Sequence, residues 1–212
     1  MNITDYFIEK GLMVVPEVTD DRFQMVDDGG VETSTGELLH SFIRRLRPEH
    51  VLETGTYTGI SSLYMGQALK ENGIGTLETI EIDEFHIKRA RELWDKMGVF
   101  NIQTIHLESL KFEPSQQYQF MFLDSEPWLR FQELVKFYPN LDEGGYIFVH
   151  DTPRNLCQGN VNPDHPDYKS WPFGDVPEKF KELLKNRELM PFYFGGARGL
   201  VGFYKVHKDD FI

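Results

Sequence analysis

Between His50 and Asp151, apolar runs of strand length alternate with longer stretches of helical period, a pattern that admits few folds besides a parallel sheet with helical crossovers. Strands are predicted over His50–Glu53, Thr76–Ile82, Ile102–His106, Gln119–Asp124 and, after a Gly144-Gly145 turn, Tyr146–Asp151. Helices are predicted over Ile60–Lys70, Glu84–Met97 and Trp128–Phe137, the second turning Phe85, Ala90 and Leu93 inward. Phe120-Met121-Phe122-Leu123 and Tyr146-Ile147-Phe148-Val149 are apolar throughout, as strands buried on both faces must be. A helix over Pro177–Lys185 follows, then strands at Leu189–Phe194 and Leu200–Val206 joined as a hairpin through Gly195–Gly199. The expected fold class is α/β, a mostly parallel seven-stranded sheet with a C-terminal antiparallel hairpin.

A length of 212 residues suits one domain. Residues 1–48 form an N-terminal helical cap segment, with helices near Tyr6–Lys10 and over Gly36–Leu46. The polar stretch from Asp27 to Thr35 reads as an ordered loop, either folded over a ligand or simply solvated. Thr152–Val176, with Pro153, Pro163, Pro166 and Pro172, is too long for an ordinary connection and is a candidate substrate lid. Its Tyr168, Trp171 and Phe173 either cover an apolar substrate or anchor the loop to the sheet.

Acidic residues outnumber basic ones by 34 to 22, giving a net charge of -12. No sustained basic run is present to displace phosphate counterions, so nucleic acid is not an expected partner. Arg44, Arg45 and Arg47 read as the solvated last turn of a helix. The single cysteine, Cys157, allows no intrachain disulfide. Residues Met1–Lys10 carry Asp5 and Glu9 instead of a basic start, and no apolar run reaches membrane-spanning length. A cytoplasmic protein without a membrane partner is expected, and a homo-oligomer is compatible with everything in the chain.

The segment from Val51 to Ser62 carries the most chemistry. Glycines at a strand-to-helix turn let backbone approach a ligand, and the helix N-terminus receives an anionic group. Glu53 stands two residues before Gly55, where a dinucleotide pyrophosphate would be repelled. S-adenosylmethionine (AdoMet) brings an ammonium, a sulfonium and a carboxylate. Glu53 suits the ammonium, while the amides of Gly59–Ser61 and the Ser61 hydroxyl suit the carboxylate. Taken alone, Glu53 could equally be an exposed acid at a strand end. Glu81, inside the second strand, is positioned for ribose hydroxyls, and Asp83 reads as the N-cap of the next helix. Asp124 and Asp151 end two further strands, where each could be a ligand or a turn former.

These residues resemble the small-molecule O-methyltransferases of the catechol O-methyltransferase type, through Gly36-Glu37-Leu38-Leu39, Val51 to Ser61, Thr79-Ile80-Glu81-Ile82, Phe122-Leu123-Asp124 and Gly145 to Asp151. The His150-Asp151 ending and the closing hairpin are similar to the group holding macrocin and rhamnosyl O-methyltransferases and cephalosporin-hydroxylase-like proteins. The resemblance implies a single-domain Rossmann-like methyltransferase fold. It also implies that Glu53, Gly55, Tyr57 and Ser61, with Gly59, hold the methionine part of AdoMet. Glu81 and Ile82 then meet the ribose and Ser109 lies near the adenine.

By the same resemblance Asp124 and Asp151 match two ligands of magnesium or another divalent cation. Thr152 stands where the catechol enzymes have an asparagine ligand, and Ser125-Glu126-Pro127-Trp128 lacks their lysine base. A catechol substrate is therefore not implied. His150 reads as a general base, a third ligand, or a packed strand-end histidine; strand alternation turns it and Asp151 to opposite faces. The expected activity is methyl transfer from AdoMet to an oxygen of a small-molecule acceptor. The rivals are an NAD-dependent oxidoreductase and a cofactor-binding homologue without turnover.

Overall fold

The computed structural model describes residues 3–11, 30–152, 176–194 and 198–207. Its strands are β1 (His50–Thr54), β2 (Thr76–Glu81), β3 (Ile102–His106), β4 (Tyr118–Leu123), β5 (Leu141–His150), β6 (Leu189–Phe194) and β7 (Leu200–Lys205). They form one seven-stranded sheet of order β3-β2-β1-β4-β5-β7-β6, with β7 antiparallel to both β5 and β6. The helices are α1 (Ile3–Glu9), α2 (Thr33–Leu46), α3 (Ile60–Asn72), α4 (Glu84–Met97), α5 (Arg130–Phe137) and α6 (Glu178–Lys185). Strand order reverses between β1 and β4, which are parallel neighbours, and ligands of open α/β sheets bind at the carboxyl ends of such a pair. The chain divides into two compact units, residues 1–50 with 56–107, and residues 51–55 with 108–212.

In the first unit α3 is buried on nearly every side, from Ile60 to Leu69, and so shows no polar stripe. Its Tyr64 hydroxyl is 2.9 Å from Thr4 Oγ1, and the ring meets Phe7 edge-on at 4.9 Å. Helix α2 starts at Thr33, ahead of the expected Gly36, because Thr35 donates its hydroxyl to Glu32 at 3.0 Å and settles into the first turn. Its arginines are not all solvated: Arg44 pairs with Glu71 at 3.1 Å and Arg47 donates to the Asn72 carbonyl at 3.0 Å. In α4 the Asp83 side chain accepts the Phe85 N–H at 2.8 Å, the expected N-cap. That start puts Ile87, Ala90, Trp94 and Met97 on the buried face, leaving Phe85 63% exposed and Leu93 half-buried, against expectation.

In the second unit β4 and the end of β5 are buried on both faces, as their apolar runs require. Phe148 anchors an aromatic cluster, with Phe120 at 4.9 Å and Phe194 at 5.2 Å. Gly144 and Gly145 do not form a turn before β5; they lie within it, where the register against β4 shifts between Tyr118 and Phe120. Helix α5 begins at Arg130, two residues later than expected, and Trp128 ahead of it is exposed. Of the expected lid only Thr152 and Val176 are among the described residues; Tyr168, Trp171 and Phe173, Cys157, Gly195–Ala197 of the hairpin turn, and Asp27–Gly29 lie outside them.

Candidate functional site

In the first unit the turn after β1 is built on left-handed backbone. Gly59 (φ 82) and Tyr57 (φ 46) both take it, and Gly59 caps α3, whose first turn carries the buried Ser61. Glu81, buried at the end of β2, ties this turn down: its Oε2 accepts the Tyr57 N–H at 2.8 Å. Its Oε1 accepts the amides of Ile82 at 2.9 Å and Asp83 at 3.0 Å. Thr56 and Thr79 hydroxyls meet at 2.6 Å beneath. The Ile82 side chain is exposed, and Tyr57 leans on His86 with ring centres 4.5 Å apart. Tyr57, Gly59 and Ser61 thus lie on one turn, and Glu81, with Ile82 next to it, reaches that turn through the Tyr57 N–H.

In the second unit Glu53 is 0% exposed, which removes the reading of an exposed strand-end acid. At Gly55 (φ 81) a Cβ would run into the Asp124 carbonyl, so only glycine lets the ends of β1 and β4 approach so closely. Thr54 donates to Glu133 Oε2 at 2.9 Å, Ser125 donates to Oε1 at 2.7 Å, and Ser109 also donates to Oε1. Glu133 therefore ties together the end of β1 and the segments that follow β3 and β4. Burial pushes its carboxyl above the usual range despite those hydroxyls and the nearby Arg130 charge.

Asp124, His150 and Asp151 form the third group, with ligand-type atoms within 4.8 Å of one another. His150 and Asp151 do not face opposite ways, because β5 ends at His150 and Asp151 takes left-handed backbone (φ 51), breaking the alternation. His150 is 1% exposed, and its Nδ1 lies 3.0 Å from Asp124 Oδ1 and 3.7 Å from Asp151 Oδ1. Arg130 sits among them, 4% exposed, with Nη2 2.9 Å from Asp124 Oδ1 and Nη1 3.1 Å from Asp151 Oδ2. It also donates to the carbonyls of His150 at 2.7 Å and Ser125 at 2.8 Å. Arg198 Nε lies 3.2 Å from Asp151 Oδ1 without hydrogen-bond alignment. Burial alone would raise the Asp124 carboxyl. The charges of His150 and Arg130, a hydrogen bond from His150 and the Arg198 charge outweigh it and hold the carboxyl below its ordinary range.

Arg130, Glu133 and Arg198 were not expected from sequence. A signal for the first two existed: positions 130, 133, 134 and 137 share one helical face, and Leu134 and Phe137 mark that face as buried.

Residues 52–152 match the sequence profile of a family described as a methyltransferase domain. A Mycobacterium sp. (strain KMS) protein described as a candidate O-methyltransferase is 28% identical over 178 residues, covering 82% of this chain and 78% of that protein. The O-methyltransferase TomG of Streptomyces achromogenes, involved in tomaymycin synthesis and solved in complex with SAM, is similar with a TM-score of 0.67, 20% identity and 97% coverage of each chain. The SAH-bound methyltransferase PaMTH1 of Podospora anserina has a TM-score of 0.65 at 16% identity, covering 85% of this chain and 81% of that one. The fold is the Rossmann-like methyltransferase sheet, seven-stranded with antiparallel C-terminal strands.

Proposed function

We propose that the protein transfers a methyl group from AdoMet to an oxygen of a small-molecule acceptor. The observation that carries this reading is Glu53, a wholly buried carboxylate two residues before Gly55, at the strand-order reversal. A carboxylate there attracts the ammonium of AdoMet and repels the pyrophosphate of a dinucleotide. The O-methyltransferase relatives supply the acceptor atom. Glu53, Gly55, Tyr57, Gly59 and Ser61 are assigned to the methionine part, Glu81 and Ile82 to the ribose, and Ser109 to the adenine side.

In the reaction an oxygen lone pair of the acceptor forms the new O–CH3 bond as the S–CH3 bond breaks and its electron pair returns to sulfur. The hydroxyl proton must leave on or before attack. We assign it to the Asp124–His150 pair, whose 3.0 Å contact holds the imidazole in place. A magnesium or similar ion on Asp124 and Asp151 is the other route, and it fits the residues poorly because Arg130 already bridges both carboxylates. No helix among the described residues is long and apolar enough to cross a membrane. A cytoplasmic location and a small-molecule acceptor accord with this reading.

Isothermal calorimetry tests it. Saturable binding of AdoMet and S-adenosylhomocysteine is expected, and a protein that binds NADH while ignoring both refutes it.

A further inference from the structure

We infer that Arg130 is a built-in cation standing in the place of a divalent metal between Asp124 and Asp151. The inference deepens the methyl-transfer reading only in what the cluster is for; what holds the two acids is argued from the cluster itself.

The two carboxylates face two guanidiniums, those of Arg130 and Arg198, besides the His150 imidazole, so their charges are already met even with that imidazole neutral. A divalent ion added to this group would leave two uncompensated positive charges among buried side chains. Arg130 is also fixed independently of the acids, by its hydrogen bonds to the Ser125 and His150 carbonyls. A metal could not displace it without stranding a buried guanidinium. Ligand atoms are short as well. Magnesium asks for near-octahedral oxygen at about 2.0–2.1 Å. Asp124 Oδ1 already serves both Arg130 and His150, so the oxygen nearest the imidazole is taken by two donors.

Arginine keeps its charge across the physiological range, so the cation of this site does not depend on metal supply. Arg130 is a positioning residue: it holds Asp124 where that carboxylate meets His150 Nδ1, and it holds the left-handed turn at Asp151 closed against the end of β5.

The test uses the full chain, freed of metal with EDTA and titrated with MgCl2 and MnCl2 in the calorimeter, with melting curves alongside. Native protein should give no saturable heat from the cluster and the same melting temperature with and without EDTA. Arg130→Ala leaves two buried acids without their bridging cation, and should show saturable Mn2+ binding at concentrations at least about tenfold below those at which the native protein shows none. Arg130→Ala combined with Asp151→Asn should lose that gain. Saturable metal binding by native protein that Asp151→Asn abolishes overturns the inference, as does a folded Arg130→Ala protein with no gain in Mn2+ affinity. Metal binding that Asp151→Asn leaves unchanged lies elsewhere and leaves the inference standing. Should Arg130→Ala not fold, the native titration decides alone. Failure to bind AdoMet would refute the methyl-transfer reading without touching any of these results.

Discussion

The indole Nε1 of Trp94 donates a hydrogen bond of 2.9 Å to the carbonyl oxygen of Gly59, so α4 holds the turn that opens α3. A Cβ on Gly59 would sit 2.7 Å from Ala90 Cβ and 2.8 Å from Trp94 Nε1, on backbone at φ 82. Gly59→Ala should therefore cost about 2 kcal/mol through left-handed strain alone, before any clash. Trp94→Phe drops both the donor and the five-membered ring, so it should cost about 1 kcal/mol for the hydrogen bond and more for the cavity left at a buried position. Urea denaturation measures both, and a Gly59→Ala protein as stable as native would contradict the packing described.

Glu81 serves three backbone amides, and by the proposed function the ribose as well. Glu81→Ala should weaken AdoMet binding by roughly 1.5–3 kcal/mol, the scale of hydrogen bonds to a charged group. Calorimetric titration reads this directly; an unchanged affinity would remove Glu81 from the cofactor site.

Burial raises the folded-state value of Glu133 above its ordinary 4.5. The folded protein thus holds a proton that the unfolded chain releases sooner. Stability from this group is complete below the ordinary value and is lost as pH rises through the folded one. Glu133→Gln, which cannot ionise, should lose less stability over the same rise. Melting curves of the two proteins from acidic to neutral pH should diverge in that sense, and a constant gap would count against it. Glu133→Ala strands three hydroxyls and should cost about 3 kcal/mol.

His150→Ala should lower turnover by about 10²–10⁴-fold, the usual contribution of a general base. AdoMet affinity should hold in the same variant. Single-turnover assays in excess EDTA, once an acceptor is identified, separate the two routes: activity that chelation abolishes and magnesium restores would return the proton's removal to a metal.

Much of the fold was legible in the sequence, because parallel strands buried on both faces leave uninterrupted apolar runs such as Phe120–Leu123. What escaped was set by single backbone torsions and by tertiary partners. Nothing local announces that Asp151 leaves the strand at φ 51, so alternation sent it to the wrong face. Gly144 and Gly145 read as a turn because glycine pairs usually make one, whereas here they lie in an irregularity inside β5, between its pairings of Leu141 with Tyr118 and of Tyr146 with Phe120 on β4. In α4 the cap at Asp83 fixed the inward face, and the aromatic character of Phe85 misled. The candidate site divided the same way: the glycine turn and the strand-end acids are visible as spacing, whereas Arg130 and Glu133 look like ordinary surface charges until the buried face of α5 is drawn.

Arg130 and Glu133 stand three residues apart on the same eight-residue helix, one gripping the acids and the other the hydroxyls of Thr54, Ser109 and Ser125. Each residue of a helix turns the next by about 100°. A rotation of α5 by one residue's phase would therefore swing both side chains out of their sockets at once. The two clusters are keyed to the rotational phase of one short helix, and neither can be re-timed without the other.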